Sequence, residues 1–398
     1  MAPQNNDTSP AFVLYFPDAV RVAGETIQGR VELNVALAQD EGIEDLHVNL
    51  RGSIVTTIIE SNFDGSNTKH ERAIELINSE KLLWERGTAF PDPGSHILVL
   101  PFKFKLPTDL PPSFHLCVLH HEAIISYTLE VVGSRPGLFR KDHLVRKIFP
   151  VLPAASPTQV LAKKSLKRGW NGVWKTISIE RKIRQGIWGD HSHARIEVKI
   201  PDLESFPRAT ALPLTLCIET RTKSMARTNS PEDKPNKPMF PAPPTQTGDV
   251  ELFFEREASI RAQRQNGTAI DSFRTYGAFG DPSNSVQSAI EAEWIPDPER
   301  QNYGVWKRTV RFETKVTLPF APTFSTETIE CKYFLNFAVA FPGMGNNVEL
   351  HVPIQLDPAH ACPSFAMNYA DVPPEGPPPP LDELPPPAYS TRQEISIQ

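Results

Sequence analysis

Near the C-terminus stand Pro386, Pro387, Ala388 and Tyr389, a Pro-Pro-x-Tyr sequence. The two prolines preset the polyproline II conformation, so docking into an aromatic-lined groove loses little entropy. Tyr389 adds a rigid anchor with a polar tip. This is the chemistry of a peptide ligand for a WW domain, with Pro386, Pro387 and Tyr389 making the contacts. A single motif of this size buries a small interface and binds at about micromolar strength at best. The same four residues also arise by chance in proline-rich sequence, and a merely solubilising tail is the alternative reading.

A second group is cationic. Residues 135–184 hold thirteen Lys and Arg against two acids, although the whole chain has a net charge of −6. Within this block Lys163, Lys164, Lys167, Arg168, Arg181, Lys182 and Arg184 are interleaved with Trp170, Trp174 and Trp188. Clustered cations with interfacial tryptophans suit an anionic partner, either acidic phospholipid headgroups or an acidic cargo tail. A solvated strand face with structural tryptophans is the alternative. Nucleic acid fits poorly, because the chain is acidic overall and no nucleic-acid-binding motif is visible.

Catalytic chemistry finds no footing. The sequence has no G-x-S-x-G, no H-E-x-x-H, no phosphate-binding loop and no G-x-G-x-x-G. His191 and His193 form one pair and His120 and His121 another, but no acid or cysteine stands at a spacing that completes a metal shell. The four cysteines, Cys117, Cys217, Cys331 and Cys362, are scattered and read as isolated reduced thiols. The expectation is a protein without an active site, metal or cofactor.

The elements that carry these groups read as strands. Proline is about a tenth of the chain, with 40 residues, against a background of roughly 5%. That density excludes long helices. Apolar residues recur at every second position: Val31, Leu33, Val35 and Leu37; Ile125, Tyr127, Leu129 and Val131; Ile196, Val198 and Ile200; Leu214, Leu216 and Ile218; Val348, Leu350, Val352 and Ile354. Period two puts one face of a sheet in the core and the other in water. No amphipathic helix of three turns or more is expected.

Two such series predict an all-β protein of two antiparallel β-sandwich domains. The first spans residues 10–155 and the second 156–357, with the segment 153–160 as a hinge. Long irregular surface loops are expected at about 224–248, which holds six prolines, and at about 264–304. Residues 358–398 read as a disordered proline-rich tail, since little apolar surface is available to offset chain entropy. No apolar run is long enough to span a bilayer and the polar N-terminus has no secretory h-region, so a cytoplasmic chain is expected.

Several segments carry a family resemblance. FVLYFPDAVRVAGETIQGRVELNV resembles the first strands of an arrestin N-domain, and LPPSFHLCVLHHEAIISYTLEVVGSRPG the end of that domain. RKIRQGIWGDHSHARIEVKIPDLESFP is similar to C-domain openings of fungal arrestin-like proteins, and TFSTETIECKYFLNFAVAFPG followed by VELHVPIQL to the final C-domain strands. The resemblance covers about residues 11–357. With a Pro-Pro-x-Tyr motif in the tail, the arrangement resembles the α-arrestins, the arrestin-related trafficking adaptors. That resemblance implies a bridge between integral membrane cargo and a WW-domain, HECT-type ubiquitin ligase. It also implies ubiquitin-dependent endocytosis, with recruitment to the plasma membrane and endosomes. Ubiquitin acceptors on the adaptor itself would be Lys163, Lys164 and Lys167. Two other readings stand beside it: an arrestin-fold coat or sorting subunit resembling the retromer's arrestin-like component, and a ligase-independent signalling scaffold.

Overall fold

A computed structural model describes residues 9–137, 141–186, 189, 191–229, 239–274, 279 and 286–358. Strands dominate, and apart from two short parallel bridges they form antiparallel sheets in two sets that share no strand.

The first sandwich faces a three-stranded sheet against a five-stranded one. The smaller sheet pairs β1 (Phe12–Tyr15) with β2 (Thr26–Asn34), and β2 also pairs with a strand over Ile97–Lys105. The larger sheet is built on two long strands, β3 (Asp45–Ser61) and β4 (Asn67–Glu85). With β5 given to Ile97–Lys105, it is completed by β6 (Phe114–Val118), β7 (His121–Ser134) and β8 (His143–Phe149). Its order is β4-β3-β7, and β6 and β8 share the far edge of β7.

Aromatic rings on the neighbouring strand require glycine at two places. A Cβ on Gly29 would lie 2.6 Å from the ring of Phe102, its cross-strand partner. A Cβ on Gly52 would lie 2.8 Å from the ring of Tyr127. Tyr127 is fully buried, and its hydroxyl donates to the Pro111 carbonyl at 2.7 Å, so the ring brings its polar tip into the core without an orphaned donor.

The alternation stops earlier than the sequence pattern indicates. Val35 and Leu37 do not continue β2 but lie in a short helix, α1 (Val35–Glu41). Asn34 caps it by accepting from the Leu37 amide at 3.2 Å, and Gly42 closes it in the left-handed conformation.

A second correction concerns the segment expected as a hinge. Residues 157–168 form α2 (Pro157–Arg168), a helix of just over three turns. Its start signals are local: Ser156 accepts from the Gln159 amide, the Gln159 side chain accepts from the Ser156 amide, and Pro157 sits in the first turn. Only Leu166 is buried among its residues, so it carries no apolar stripe for a periodicity search to find.

The second sandwich opens with β9 (Trp174–Arg184), β10 (His191–Pro201) and β11 (Ala211–Arg221). They pair in that order, and β11 also pairs antiparallel with a long strand over Arg300–Thr317. The opposing sheet centres on β12 (Val250–Ala262), flanked by β13 (Gln265–Arg274) and a strand over Ile329–Val339.

The segment 264–304 is therefore not one loop. It contains β13, which turns back on β12 through Gln263 at φ 55°, and β14 (Glu291–Asp297), which pairs with the strand that follows, β15 (Arg300–Thr317). Trp294 and Trp306 face each other across that second hairpin at 5.2 Å. Its polar composition masked it, since much of β14 is exposed. The described parts of 224–248 are irregular, apart from a two-residue bridge at Met225–Ala226 and a single 3₁₀ turn at Thr247–Asp249. Two further strands, β16 (Ile329–Val339) and β17 (Val348–Ile354), complete the sheet.

The sandwiches meet along β3, β4 and β6 on one side and the β12–β13 turn and Phe324 on the other. The Thr56 hydroxyl donates to the Arg261 carbonyl at 2.8 Å, and Phe114 packs edge-on against Phe324 at 5.0 Å. Arg72 pairs with Glu327, and the Arg256 guanidinium lies over Phe114 at 5.3 Å.

Candidate functional site

The helix α2 carries four of the sequence-predicted cations and fixes them against the second sandwich. Gln159 donates to the Ser205 hydroxyl at 3.3 Å, and that hydroxyl donates to Asp357 Oδ2 at 3.3 Å. Asp357 is buried beside the α2 residue Lys163 and ends a two-residue bridge, Leu356–Asp357, that runs parallel to Phe206–Pro207. One hydrogen-bonded path thus joins the start of α2 to the last described strand.

Burial pushes the Asp357 carboxyl up to about 6, against the Ser205 hydrogen bond and the charge of Lys163, which both favour the carboxylate. The Lys163 ammonium is lowered by burial, then by the neighbouring positive charges of Lys167 and Arg208, while Asp357 opposes them. Arg208 donates to the Phe320 and Pro319 carbonyls at 2.8 and 3.1 Å, and burial lowers it as well.

A pH dependence follows from Asp357. Its folded value of about 6 lies above its ordinary 3.8, so the folded chain holds an extra proton between about pH 4 and pH 6. The stabilising contribution is complete below about pH 4 and is lost as pH rises through about 6, amounting to roughly 3 kcal/mol at most. Asp357→Asn keeps an acceptor for Ser205 and removes the titration. In melts from pH 4 to pH 7, the wild-type melting temperature is expected to fall relative to that of Asp357→Asn. Parallel curves would contradict this assignment.

The structure divides the cationic block. Lys164, Lys167 and Arg168 are exposed on α2, whereas Lys163 is half-buried over Asp357 and does not belong to an exposed cluster. Arg181, Lys182 and Arg184 lie toward the other end of β9. Lys175, at its start, is six to nine residues from them, or roughly 20–30 Å along an extended strand. Strand alternation also puts Arg181 on the opposite face from Lys182 and Arg184. Arg184 is held by its neighbours: its backbone exchanges hydrogen bonds with the Asn346 side chain, and its guanidinium meets His191 at 2.6 Å. The block is thus two groups rather than one patch.

The remaining candidates are placed as follows. His193 Nδ1 meets Glu180 at 3.0 Å. Cys117 is exposed, Cys217 is half-buried, and Cys331 is buried, its thiol pushed up to about 11 by that burial. Pro386, Pro387, Tyr389, Trp188 and Cys362 lie outside the described residues, as does the expected tail from residue 359 onward. Two open clefts, of about 940 Å³ beside Tyr15 and Phe102 and about 500 Å³ beside Pro111 and Phe324, contain none of the sequence-predicted site residues. Among the described residues no helix is long and apolar enough to cross a membrane.

The capping box that starts α2 was legible as Ser156-x-x-Gln159. Asp357, Ser205 and Arg208 had no sequence signal, because only the fold brings them to α2.

The described residues form two β-sandwiches joined by a short helix. Residues 11–156 match the family model for the arrestin (or S-antigen) N-terminal domain, which covers the first sandwich. No curated protein matches the chain.

Proposed function

We propose that the chain is a non-enzymatic adaptor that bridges integral membrane cargo to a WW-domain, HECT-type ubiquitin ligase, as the α-arrestins do. The observation that carries this reading is the Pro386-Pro387-Ala388-Tyr389 sequence, placed beyond a double sandwich whose first half matches an arrestin N-terminal domain. The arrestin-type domain by itself supports an adaptor role in general. The motif adds the ligase, because its polyproline II backbone and tyrosine anchor suit a WW groove. The product of such a protein is proximity: the sandwiches hold cargo, the tail holds the ligase, and ubiquitin is transferred to cargo that is then sorted by endocytosis. Recruitment would be peripheral, from the cytoplasm to the plasma membrane and endosomes.

Self-modification fits the same arrangement. Lys164 and Lys167 are exposed acceptors on α2, whereas Lys163 is engaged at Asp357. In a reconstituted reaction with a WW-containing HECT ligase, the full chain is expected to be ubiquitylated and its Tyr389→Ala version to lose at least nine-tenths of that signal. Equal modification of the two would favour the coat-subunit reading, in which the tail is incidental.

A further inference from the structure

The corner formed by α2 and the start of β9 has two properties that together point to one kind of surface. First, cations outnumber acids there, the fold bringing in only Asp202, whose amide meets the Val173 carbonyl, and Asp357 beside Lys163 among the described residues. No Asp or Glu occurs from His143 to Ile179, and Lys164, Lys167, Arg168 and Lys175 are exposed without an ion pair among the described residues. Second, it exposes large apolar side chains among those charges: Leu161 at 63%, Val173 at 71% and Trp174 at 38%.

The arrangement on α2 is directional. Leu161 precedes Lys164 and Arg168 by three and seven residues, so the three share the outward helical face. The inward side is fastened by Leu166 in the core and by the Gln159–Ser205–Asp357 path. The turn that follows is fastened too. The Trp170 indole donates to the Val173 carbonyl at 3.1 Å, and that carbonyl also accepts from the Asp202 amide at 2.8 Å. Val173 and Trp174 are thus presented on a fixed turn.

We infer that this corner docks on anionic membrane surfaces, with Lys164, Lys167 and Arg168 at the headgroups and Leu161, Val173 and Trp174 entering the headgroup–acyl boundary. The inference rests on the reading of the basic block as an anion-binding surface and narrows it to one end. An acidic peptide would satisfy the cations, but it offers nothing to the exposed leucine, valine and tryptophan. A lipid interface satisfies both, since basic helix faces with Leu and Trp lie in that zone. Each cation near an anionic surface raises binding roughly fivefold. Salt weakens this attraction within a Debye length of about 8–10 Å.

The test is co-sedimentation of the full chain with vesicles of phosphatidylcholine alone or with phosphatidylserine at about a third of the lipid. Binding is expected only to the acidic vesicles, and to fall between low and physiological salt. Replacing Lys164, Lys167 and Arg168 by Gln should reduce it at least tenfold. Leu161→Ser with Val173→Ser should also weaken it severalfold while preserving its salt dependence. Lys103→Gln with Lys105→Gln, on the first sandwich, should leave it unchanged. Lipids brominated on the acyl chain should quench tryptophan fluorescence in the wild type and markedly less in Trp174→Phe. Loss of binding on replacing Arg181 and Lys182, with retention in the α2 variant, would overturn the corner but keep the wider basic-block reading. Equal binding to neutral and acidic vesicles would overturn both. Binding of an oligo-glutamate peptide through the same lysines, without vesicle binding, would overturn the membrane in favour of acidic protein.

Discussion

A peptide spanning Leu384–Ser390 is expected to bind a WW domain, and Tyr389→Ala to weaken that binding by about 2 kcal/mol or more, as the loss of a central aromatic anchor does. From a micromolar starting point, such a loss takes the complex close to the limit of detection. The neighbouring positions should rank in a definite order. Pro387→Ala loosens the preset backbone but leaves the ring, so it should cost less. Ala388 faces away from the groove in this mode and should tolerate change. Phosphorylation of Tyr389 adds roughly two negative charges to an apolar pocket and should abolish binding. Calorimetry of the wild-type peptide and these four variants against a panel of WW domains gives the ranking directly. Equal affinities for the wild-type and Tyr389→Ala peptides would make the motif a coincidence of composition.

The second large effect is expected in the core of the second sandwich, beside its joint with the first. Phe254 is buried on β12, stacked on Phe320 at 4.3 Å and on Tyr333 at 5.1 Å. Arg256, two residues along the same strand face, reaches Phe114 of the first sandwich. Phe254→Ala should cost about 3–5 kcal/mol, because a rigid aromatic stack cannot close around the void. Phe254→Leu retains most of the volume and should cost about 1.5 kcal/mol. Urea denaturation followed by tryptophan fluorescence checks both values. A loss below about 1 kcal/mol for the alanine variant would contradict the stacked arrangement.

The sequence stripes that could be read were those with one buried face. Ile196, Val198 and Ile200 alternate along β10, all are buried, and Ile196 and Val198 stand opposite Ile218 and Leu216 of the neighbouring stripe. A sandwich interior dictates this pattern, so the all-β architecture followed from it. Where packing dictates less, the reading failed. α2 buries only Leu166 and is specified by its cap, so a search for apolar periodicity passes over it. β14 is exposed over much of its length and is held by pairing with β15, which leaves little alternation to detect. Val35 and Leu37 kept the spacing of a strand, yet Asn34 turns the chain into a helix first.

The candidate sites divide in the same way. A linear peptide motif such as Pro386–Tyr389 is complete within four residues, so proposing it needs no fold. The joining of Gln159 to Ser205 and Asp357 depends on segments far apart in the chain. The cationic block looked continuous in sequence because its members are close along the chain, but β9 carries its two ends roughly 20–30 Å apart.

Proximity labelling in cells, with the intact chain and its Tyr389→Ala version expressed at equal levels, tests the bridging role most directly. The expected result is a WW-containing HECT ligase labelled by the intact chain and lost from the variant, with the same integral membrane proteins labelled by both. A ligase labelled equally by both versions would contradict the account, as would a labelled set composed only of coat components.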